Sequence, residues 1–238
     1  MLEIRAQRNF LGVSLSLKMR FTSQITLAYR EIARIKEDIF HADTAAISQY
    51  SPIQERGAVT RASAYVLLAA LLERIVREAL QATLQEITLL CIPVKDLKLS
   101  LLSLICDAEF ASIADRSRGN AWEQKISIFF QTVEEKPASL ADNILPLDGR
   151  TIRGAHFDTI WLVLGLDASS IPSPLHRIAL KDLADGRNEV AHGHVDPVIF
   201  GRSKATKDML GIIKRVDEVI IHFLNSLDDY IEKKKFAR

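Results

Sequence analysis

The chain has 238 residues, 48% of them hydrophobic and 26% charged, which is typical of a globular protein and excludes a disordered one. Its formal net charge of +1 excludes a protein whose overall field attracts nucleic acids or membranes, so any site for a polyanion must be a local patch. The longest apolar run, Ala64 to Leu72, is about half of a membrane span, and the N-terminus lacks the pattern of a signal peptide. We therefore expect a cytoplasmic protein without a membrane partner.

Glycine and proline are scarce and cluster between segments of helical periodicity, which predicts an all-α fold. The first twenty residues are ambiguous, because VSLSL alternates like a strand but has no strand to pair with. We predict an N-terminal extension over residues 1–20 and a single helical domain over 21–238, with a break at Ser51-Pro52 and an irregular stretch over 136–156. The predicted helices are Thr22 to Phe40, Gln54 to Leu90, Leu97 to Ala114, Ala121 to Val133, Phe157 to Leu166, Leu175 to His192 and Ser203 to Lys234.

The second predicted helix is nearly all apolar in its middle, so we expect it to be the most buried helix. The two cysteines, Cys91 and Cys106, lie in apolar surroundings and match no metal-binding spacing, which favours reduced, buried side chains. Trp122 and Trp161 also occupy apolar positions, and we expect both in the core. No stacking platform for single-stranded nucleic acid is visible in the sequence.

The stretch GRNEVAHGH, residues 186–194, concentrates unusual chemistry on one predicted helix. At about 100° per residue, an apolar stripe forms and Arg187 falls near its centre, while Asn188 and His192 stack four residues apart on the adjoining face. The members of the stripe are Leu180, Leu183, Ala184, Val190 and Ala191.

An arginine on a core seam needs a partner: a carboxylate, a second subunit or a ligand phosphate. Gly186 is poor inside a helix and indicates a close approach by another element. Gly193 is predicted to cap the helix, which places His192 in the last turn, where the helix dipole favours a protonated ring.

Two interpretations of this motif are open. An arginine, an amide and a histidine that titrates near neutrality could hold a phosphodiester and move a proton. Alternatively, Arg187 pairs with a core carboxylate such as Glu73, and His192 only terminates the helix.

The run LKDLADGRNEVAHG resembles the pattern of the HEPN superfamily, in which RN is followed by three residues and then HG. Upstream, IWLVLGLD resembles the short helix that often precedes it, and RASAYVLLAALLERIVREAL resembles the long second helix of defence-associated branches. Together with the last amphipathic helix, the likeness covers about residues 21–236, although only RNEVAHG is specific. It implies a bundle of four or five core helices with extra helices, and a homodimer in which two motif helices build one composite cleft.

The resemblance also implies an activity, because many members are metal-independent ribonucleases in toxin–antitoxin or antiviral systems. His192 would be the general acid and base, Arg187 would stabilise the charge on the phosphate, and Asn188 would orient the phosphate or the histidine. RNA is then the substrate, an antitoxin or defence protein is a possible partner, and no metal or cofactor is expected.

Further residues are assigned supporting roles. Glu73 could pair with Arg187 from the same or the partner chain, and His194 could be a second proton carrier or a solvated loop residue. One branch of the family carries a tyrosine where this chain has His194, so regulation by nucleotidylation of that tyrosine is not expected here. Candidates for contacts to the RNA backbone, or else merely solvated cations, are Arg150, Arg153, Arg202, Lys204 and Lys207.

The sequence thus favours an RNA endonuclease that acts as a toxin or antiviral effector. One alternative is a catalytically silent HEPN module that binds nucleotide, RNA or a partner protein. A purely structural helical adaptor would require the motif to be a coincidence.

Overall fold

The computed structural model of the chain describes residues 19–47, 50–114, 121–140 and 145–238. The secondary structure of this part is helical, apart from two isolated β-bridges, and confirms the all-α prediction. None of the helices in the described ranges combines the length and the hydropathy needed to cross a membrane. The α-helices are α1 Thr22–Ala46, α2 Ser51–Leu89, α3 Leu102–Ile105, α4 Asp107–Ala114, α5 Ala121–Gln131, α6 Gly154–Leu164, α7 Pro174–Ala191, α8 Pro197–Ser203 and α9 Thr206–Glu232. Short 3-10 helices cover Met19–Phe21, Val94–Asp96 and Leu99–Leu101.

Several helix boundaries differ from the sequence-based predictions, and the helix predicted over Leu97 to Ala114 is divided among a 3-10 helix, α3 and α4. Ser51 and Pro52 begin α2 instead of interrupting it, since a proline in the first turn of a helix has no N–H that needs a partner. The predicted helix over Ser203 to Lys234 is preceded by α8, which the periodicity did not indicate. The Asp196 side chain caps α8 by accepting hydrogen bonds from the backbone N–H groups of Val198 and Ile199, at 2.8 and 3.3 Å.

The chain forms two compact units. The first unit comprises the described residues up to 76 together with 149–154 and 171–225, and the second comprises 77–148, 155–170 and 226–238. Because α2 and α9 each contribute to both units, the single domain predicted over 21–238 is not tested by this division and stays a prediction. The prediction for residues 1–20 lies almost wholly outside the described residues.

The first unit is built on a core from α1, α2, α7 and α9. Its isoleucines and leucines recur at helical spacing, and most are less than 5% exposed. Most of the apolar middle of α2 is buried there, as predicted, although Leu67 is 50% exposed. The core residues of the four helices include Ile32, Ile35, Ile39, Leu68, Leu72, Leu180, Leu183, Val216 and Ile220.

Arg61 is a buried cation, 7% exposed, that ties three helices of the first unit together. It donates to the carbonyl of Gly201 in α8 at 2.9 Å and to the carbonyl of Ala42 in α1 at 3.3 Å, and it lies 3.7 Å from the Asp43 carboxylate. The Gly201 carbonyl is one of the last four in α8, which have no partner within the helix, so the arginine satisfies a group that the helix leaves open.

The second unit has its own apolar core. Buried residues of α6 face the protein interior at helical spacing, and Tyr230 and Phe236 pack edge to face with ring centroids 5.8 Å apart. The Lys98 ammonium donates to the carbonyl of Gly165, the residue after the end of α6, at 2.6 Å. The buried residues of α6 are Phe157, Ile160, Trp161 and Leu164.

Two of the four residues expected in the core are exposed instead. Trp161 and Cys106 are buried, as predicted, but Trp122 is 75% exposed and Cys91 is exposed. Helix α5 has no buried residue, so its apolar stripe does not contribute to the core. Cys91 follows the end of α2 in a turn with a positive φ of 50°. The prediction for Trp122 was wrong because apolar neighbours in the sequence do not show which way a helix faces. The prediction for Cys91 was wrong because the helix ends at Leu89 and the cysteine lies in the turn that follows.

The two tryptophans are expected to differ in solvent access. Acrylamide should quench the fluorescence of a Trp161→Phe variant, which retains Trp122, much more strongly than that of a Trp122→Phe variant, which retains the buried Trp161. The Stern–Volmer slopes of the two variants measure this difference. Equal slopes would contradict the exposure of α5.

Candidate functional site

Helix α7 carries the motif. Residues in its middle pack in the core of the first unit, and its last turn is more exposed. Leu180, Leu183 and Ala184 are buried, whereas Val190 is only half-buried and Ala191 is exposed. The predicted apolar stripe therefore ends before the last turn. Arg187 lies at this transition and is half-buried, so its guanidinium keeps access to solvent and its charge is not sealed in hydrocarbon.

Gly186 permits a close approach beside the arginine, as its presence within a helix indicated. A Cβ atom there would lie 2.5 Å from Cδ1 of Tyr65 and 3.0 Å from Cζ of Phe200. These two rings pack edge to face, with centroids 5.1 Å apart. Burial, helped by the carboxylate of Asp182, raises the pKa of Tyr65 to about 12, so its hydroxyl stays neutral at physiological pH. The aromatic pair thus packs directly against α7 at Gly186.

Arg187, Asn188 and His192 come together at the end of α7. The Arg187 Nη1 atom donates to Oδ1 of Asn188 at 3.2 Å and lies 3.4 Å from Nε2 of His192. Because a guanidinium can only donate, this contact is a hydrogen bond in the tautomer that carries its ring proton on Nδ1 and accepts at Nε2. Both contacts are long for hydrogen bonds, so the oxygen of a bound anion could replace either.

The helix ends in a Schellman motif that presents the imidazole to solvent. His192 is the C-cap, and Gly193 follows with a positive φ of 67°, as a left-handed cap requires. The N–H of His194 donates to the Glu189 carbonyl at 3.0 Å, and the N–H of Gly193 donates to the Val190 carbonyl at 3.2 Å. Gly193 is thus the predicted terminator.

His194 lies beside His192 on this turn. Their ring centroids are 5.8 Å apart at an interplanar angle of 47°, and both residues are exposed. The structure therefore brings a second imidazole to the site, on the same side as the first.

Residues 149–154 lie against α7, and two of them contact it at or near the motif. Thr151 Oγ1 donates to Oδ1 of Asn188 at 2.9 Å, and Arg153 Nη2 donates to the Asp185 carboxylate at 2.6 Å. Hydrogen bonds from Lys181 and Arg153 hold the pKa of Asp185 below its usual range. Arg153 therefore already has a carboxylate partner, and Arg150 is exposed next to Thr151. Sequence reasoning missed Thr151, because nothing in the sequence links two residues 37 positions apart.

The three basic residues after the motif helix differ in their surroundings. The Lys204 ammonium lies 4.5 Å from the centroid of Phe200 and 5.9 Å from that of Tyr65, over the rings that contact Gly186. Arg202 is exposed and lies 3.9 Å from the Glu55 carboxylate, and Lys207 is exposed. The contacts thus connect Lys204 with the motif helix.

Glu73 is half-buried on α2, some distance along the helix from the motif. Tyr65 faces Gly186, and Leu68 shares a small cavity with Leu183, so α2 and α7 run in opposite directions. Glu73 follows Tyr65 by eight positions, about 12 Å along the helix axis, in the direction that leads away from His192. Its pairing with Arg187 stays a prediction.

Within the described residues, no three side chains of the histidine, cysteine, aspartate or glutamate type come together as a metal site would require. The expectation that the chemistry needs no metal remains to be tested by chelation.

A family model described as MAE_28990-like HEPN matches residues 24–236, nearly the whole chain. The matched range includes all the candidate site residues named above. No curated protein and no solved structure matches the chain.

Proposed function

Since the chain belongs to the HEPN superfamily, we propose that it is a metal-independent RNA endonuclease of this type. In this proposal it acts in the cytoplasm as a toxin or antiviral effector. The single observation that carries the proposal is the cluster of Arg187, Asn188 and His192 at the solvent-exposed end of α7. A cation, an amide and an imidazole within hydrogen-bonding reach of each other are the groups that phosphodiester transesterification needs.

In the proposed step, Nε2 of His192 takes the proton of the ribose 2′-hydroxyl while the 2′-oxygen bonds to phosphorus. The bond from phosphorus to the 5′-oxygen breaks, and an imidazolium returns a proton to that oxygen. The products are a 2′,3′-cyclic phosphate and a 5′-hydroxyl end, with no net consumption of protons.

Arg187 and Asn188 act on the phosphate in this step. Charge accumulates on the non-bridging oxygens in the transition state, and the guanidinium is within reach of an anion bound beside His192. The Asn188 carbonyl oxygen is already occupied by donors, so its amide nitrogen is the group that can donate to the phosphate.

A homodimer completes the proposed site. The last turn of α7, with the half-buried Val190 and the exposed Ala191, supports a second copy placed against this helix end. Two motif helices would then share one cleft, and the imidazole of each could serve as base or acid. An antitoxin or a defence-system protein is the partner that would restrain or direct the activity.

The test is cleavage of total RNA in the presence of EDTA. The expected result is EDTA-resistant cleavage with 2′,3′-cyclic phosphate and 5′-hydroxyl ends. These ends are identified by treating the RNA fragments with kinase and with phosphatase and observing whether the fragments change. Cleavage that EDTA abolishes would contradict the metal-free mechanism. RNA binding without any cleavage would instead favour the silent HEPN module, in which the same donors hold phosphate without chemistry.

A further inference from the structure

Residues 149–154, here called the strap, run along α7 in the opposite direction to the helix. Successive contacts join Thr151 to Asn188 and Arg153 to Asp185, at 2.9 and 2.6 Å. Farther toward the start of the helix, a Cβ on Gly154 would lie 2.6 Å from Nη1 of Arg177, so the strap lies tight against the helix there too. The strap thus follows α7 over several turns and ends at the motif.

The strap and Arg187 together hold the Asn188 amide in one orientation. Its Oδ1 receives two hydrogen bonds, one from the Thr151 hydroxyl and one from the Arg187 guanidinium. If the amide turned over, its NH₂ group would face the guanidinium, and two donors would oppose each other. Only the observed orientation satisfies both neighbours and leaves the amide nitrogen available to a ligand.

The hydrogen bond between Asn188 and Arg187 also connects this amide with the imidazole of His192. Nη1 of Arg187 is shared between Oδ1 of Asn188 and Nε2 of His192, so the orientation of Asn188 determines where the guanidinium lies. A hydrogen-bonded chain therefore runs from Thr151 through Asn188 and Arg187 to His192. Its first member lies on a different segment from the other three.

We propose that Thr151 is a positioning residue, which through Asn188 holds Arg187 against His192 in the arrangement that reacts. This role rests on the proposed ribonuclease function for its kinetic consequence, although the geometry itself does not depend on catalysis. Without the hydroxyl, the Asn188 oxygen loses the shorter of its two hydrogen bonds, and the acceptor that holds Arg187 beside the imidazole is no longer fixed in place.

The kinetic test compares three variants with the wild type. Thr151→Val has the same shape but lacks the hydroxyl, and it is expected to lower kcat about tenfold, the equivalent of one hydrogen bond, with KM changed less. Thr151→Ser keeps the donor and should restore most of kcat. Thr60→Val is the control, because the Thr60 hydroxyl donates to the Arg56 carbonyl of its own helix at 3.0 Å and, among the described residues, has no hydrogen bond to the motif. A Thr151→Val enzyme with wild-type kcat, or a Thr151→Ser enzyme as impaired as Thr151→Val, would overturn the proposal.

A second readout does not require activity. In the wild type, nitrogen chemical shifts of the His192 ring, identified by their loss in His192→Ala, should report the tautomer with the proton on Nδ1. Thr151→Val should shift the ring toward a mixture of tautomers, and Thr151→Ser should not. Unchanged ring signals in Thr151→Val would overturn the proposal even if the protein cleaves no RNA, so this result is separable from failure of the proposed function.

Discussion

Replacing either His192 or Arg187 by alanine is expected to abolish EDTA-resistant RNA cleavage while the protein stays folded. Both side chains lie at the end of α7, where His192 is exposed and Arg187 is half-buried, so neither truncation leaves a cavity in the core. General acid–base catalysis contributes about 100- to 10,000-fold to rates, and the loss of a transition-state donor costs about 100- to 1,000-fold. The measurement is the initial rate of cleavage of a labelled RNA, with circular dichroism to confirm folding.

The matched controls are His41→Ala and Arg34→Ala on α1. These residues have the same side-chain types and are 77% and 73% exposed in their side chains, and their described contacts are to glutamates of the same helix. Both control variants should cleave at the wild-type rate. Cleavage by His192→Ala at the wild-type rate would exclude this site as the source of the activity.

Arg187→Lys sharpens the interpretation of the arginine. Lysine retains the positive charge but lacks the planar guanidinium group. In Arg187, one guanidinium nitrogen contacts both Asn188 and His192, and the other nitrogens can donate to phosphate. We expect RNA binding to be largely retained while kcat falls. Full activity in the lysine variant would show that only the charge matters.

Gly201→Ala is expected to cause the largest loss of stability of any single methyl addition in the first unit. The new Cβ would lie 1.8 Å from the Ala58 carbonyl oxygen, and backbone atoms cannot move aside as a flexible side chain can. Helix α8 would have to separate from α2, which also breaks the hydrogen bond from buried Arg61 to Gly201. A loss of at least about 3 kcal/mol in the free energy of unfolding is expected, measured by urea denaturation.

Gly211→Ala provides the control for this prediction. Gly211 lies within α9, and its new Cβ would meet only Nη1 of Arg215 at 3.2 Å, the far end of a flexible side chain. Alanine is favoured over glycine within a helix by about 1 kcal/mol, so this variant should be as stable as the wild type or more so. Equal urea midpoints for the two variants would contradict the close packing of α2 and α8.

Helix positions were predictable because helical periodicity is a local property of the sequence. The apolar spacing of α1, α2, α7 and α9 indicated each of them to within a few residues, apart from the last turns of α1. Helix α8 was missed because it is short, although Asp196-Pro197 is a cap followed by a first-turn proline and could have indicated its start. The exposure of Trp122 was not predictable, since an amphipathic helix shows an apolar face whether or not anything covers it.

The motif itself was also a local property. Arg187, Asn188 and His192 lie within six positions of one helix, and a spacing of four residues places side chains on one face wherever the helix lies. The termination at Gly193 followed from the need for a positive φ at the end of α7. The sequence could therefore propose the chemical groups and their approximate arrangement.

What the sequence determined by itself is the helical periodicity, the family and the groups at the end of α7, because all of these depend on neighbours within one or two turns. Only the tertiary structure decided that the motif emerges from the core at Arg187, that Gly186 packs against Tyr65, and that Thr151 reaches Asn188. Each of these is a contact between segments far apart in the chain. Such a contact depends on how helices and loops pack against each other, and it cannot be inferred from the spacing of residues within one of them.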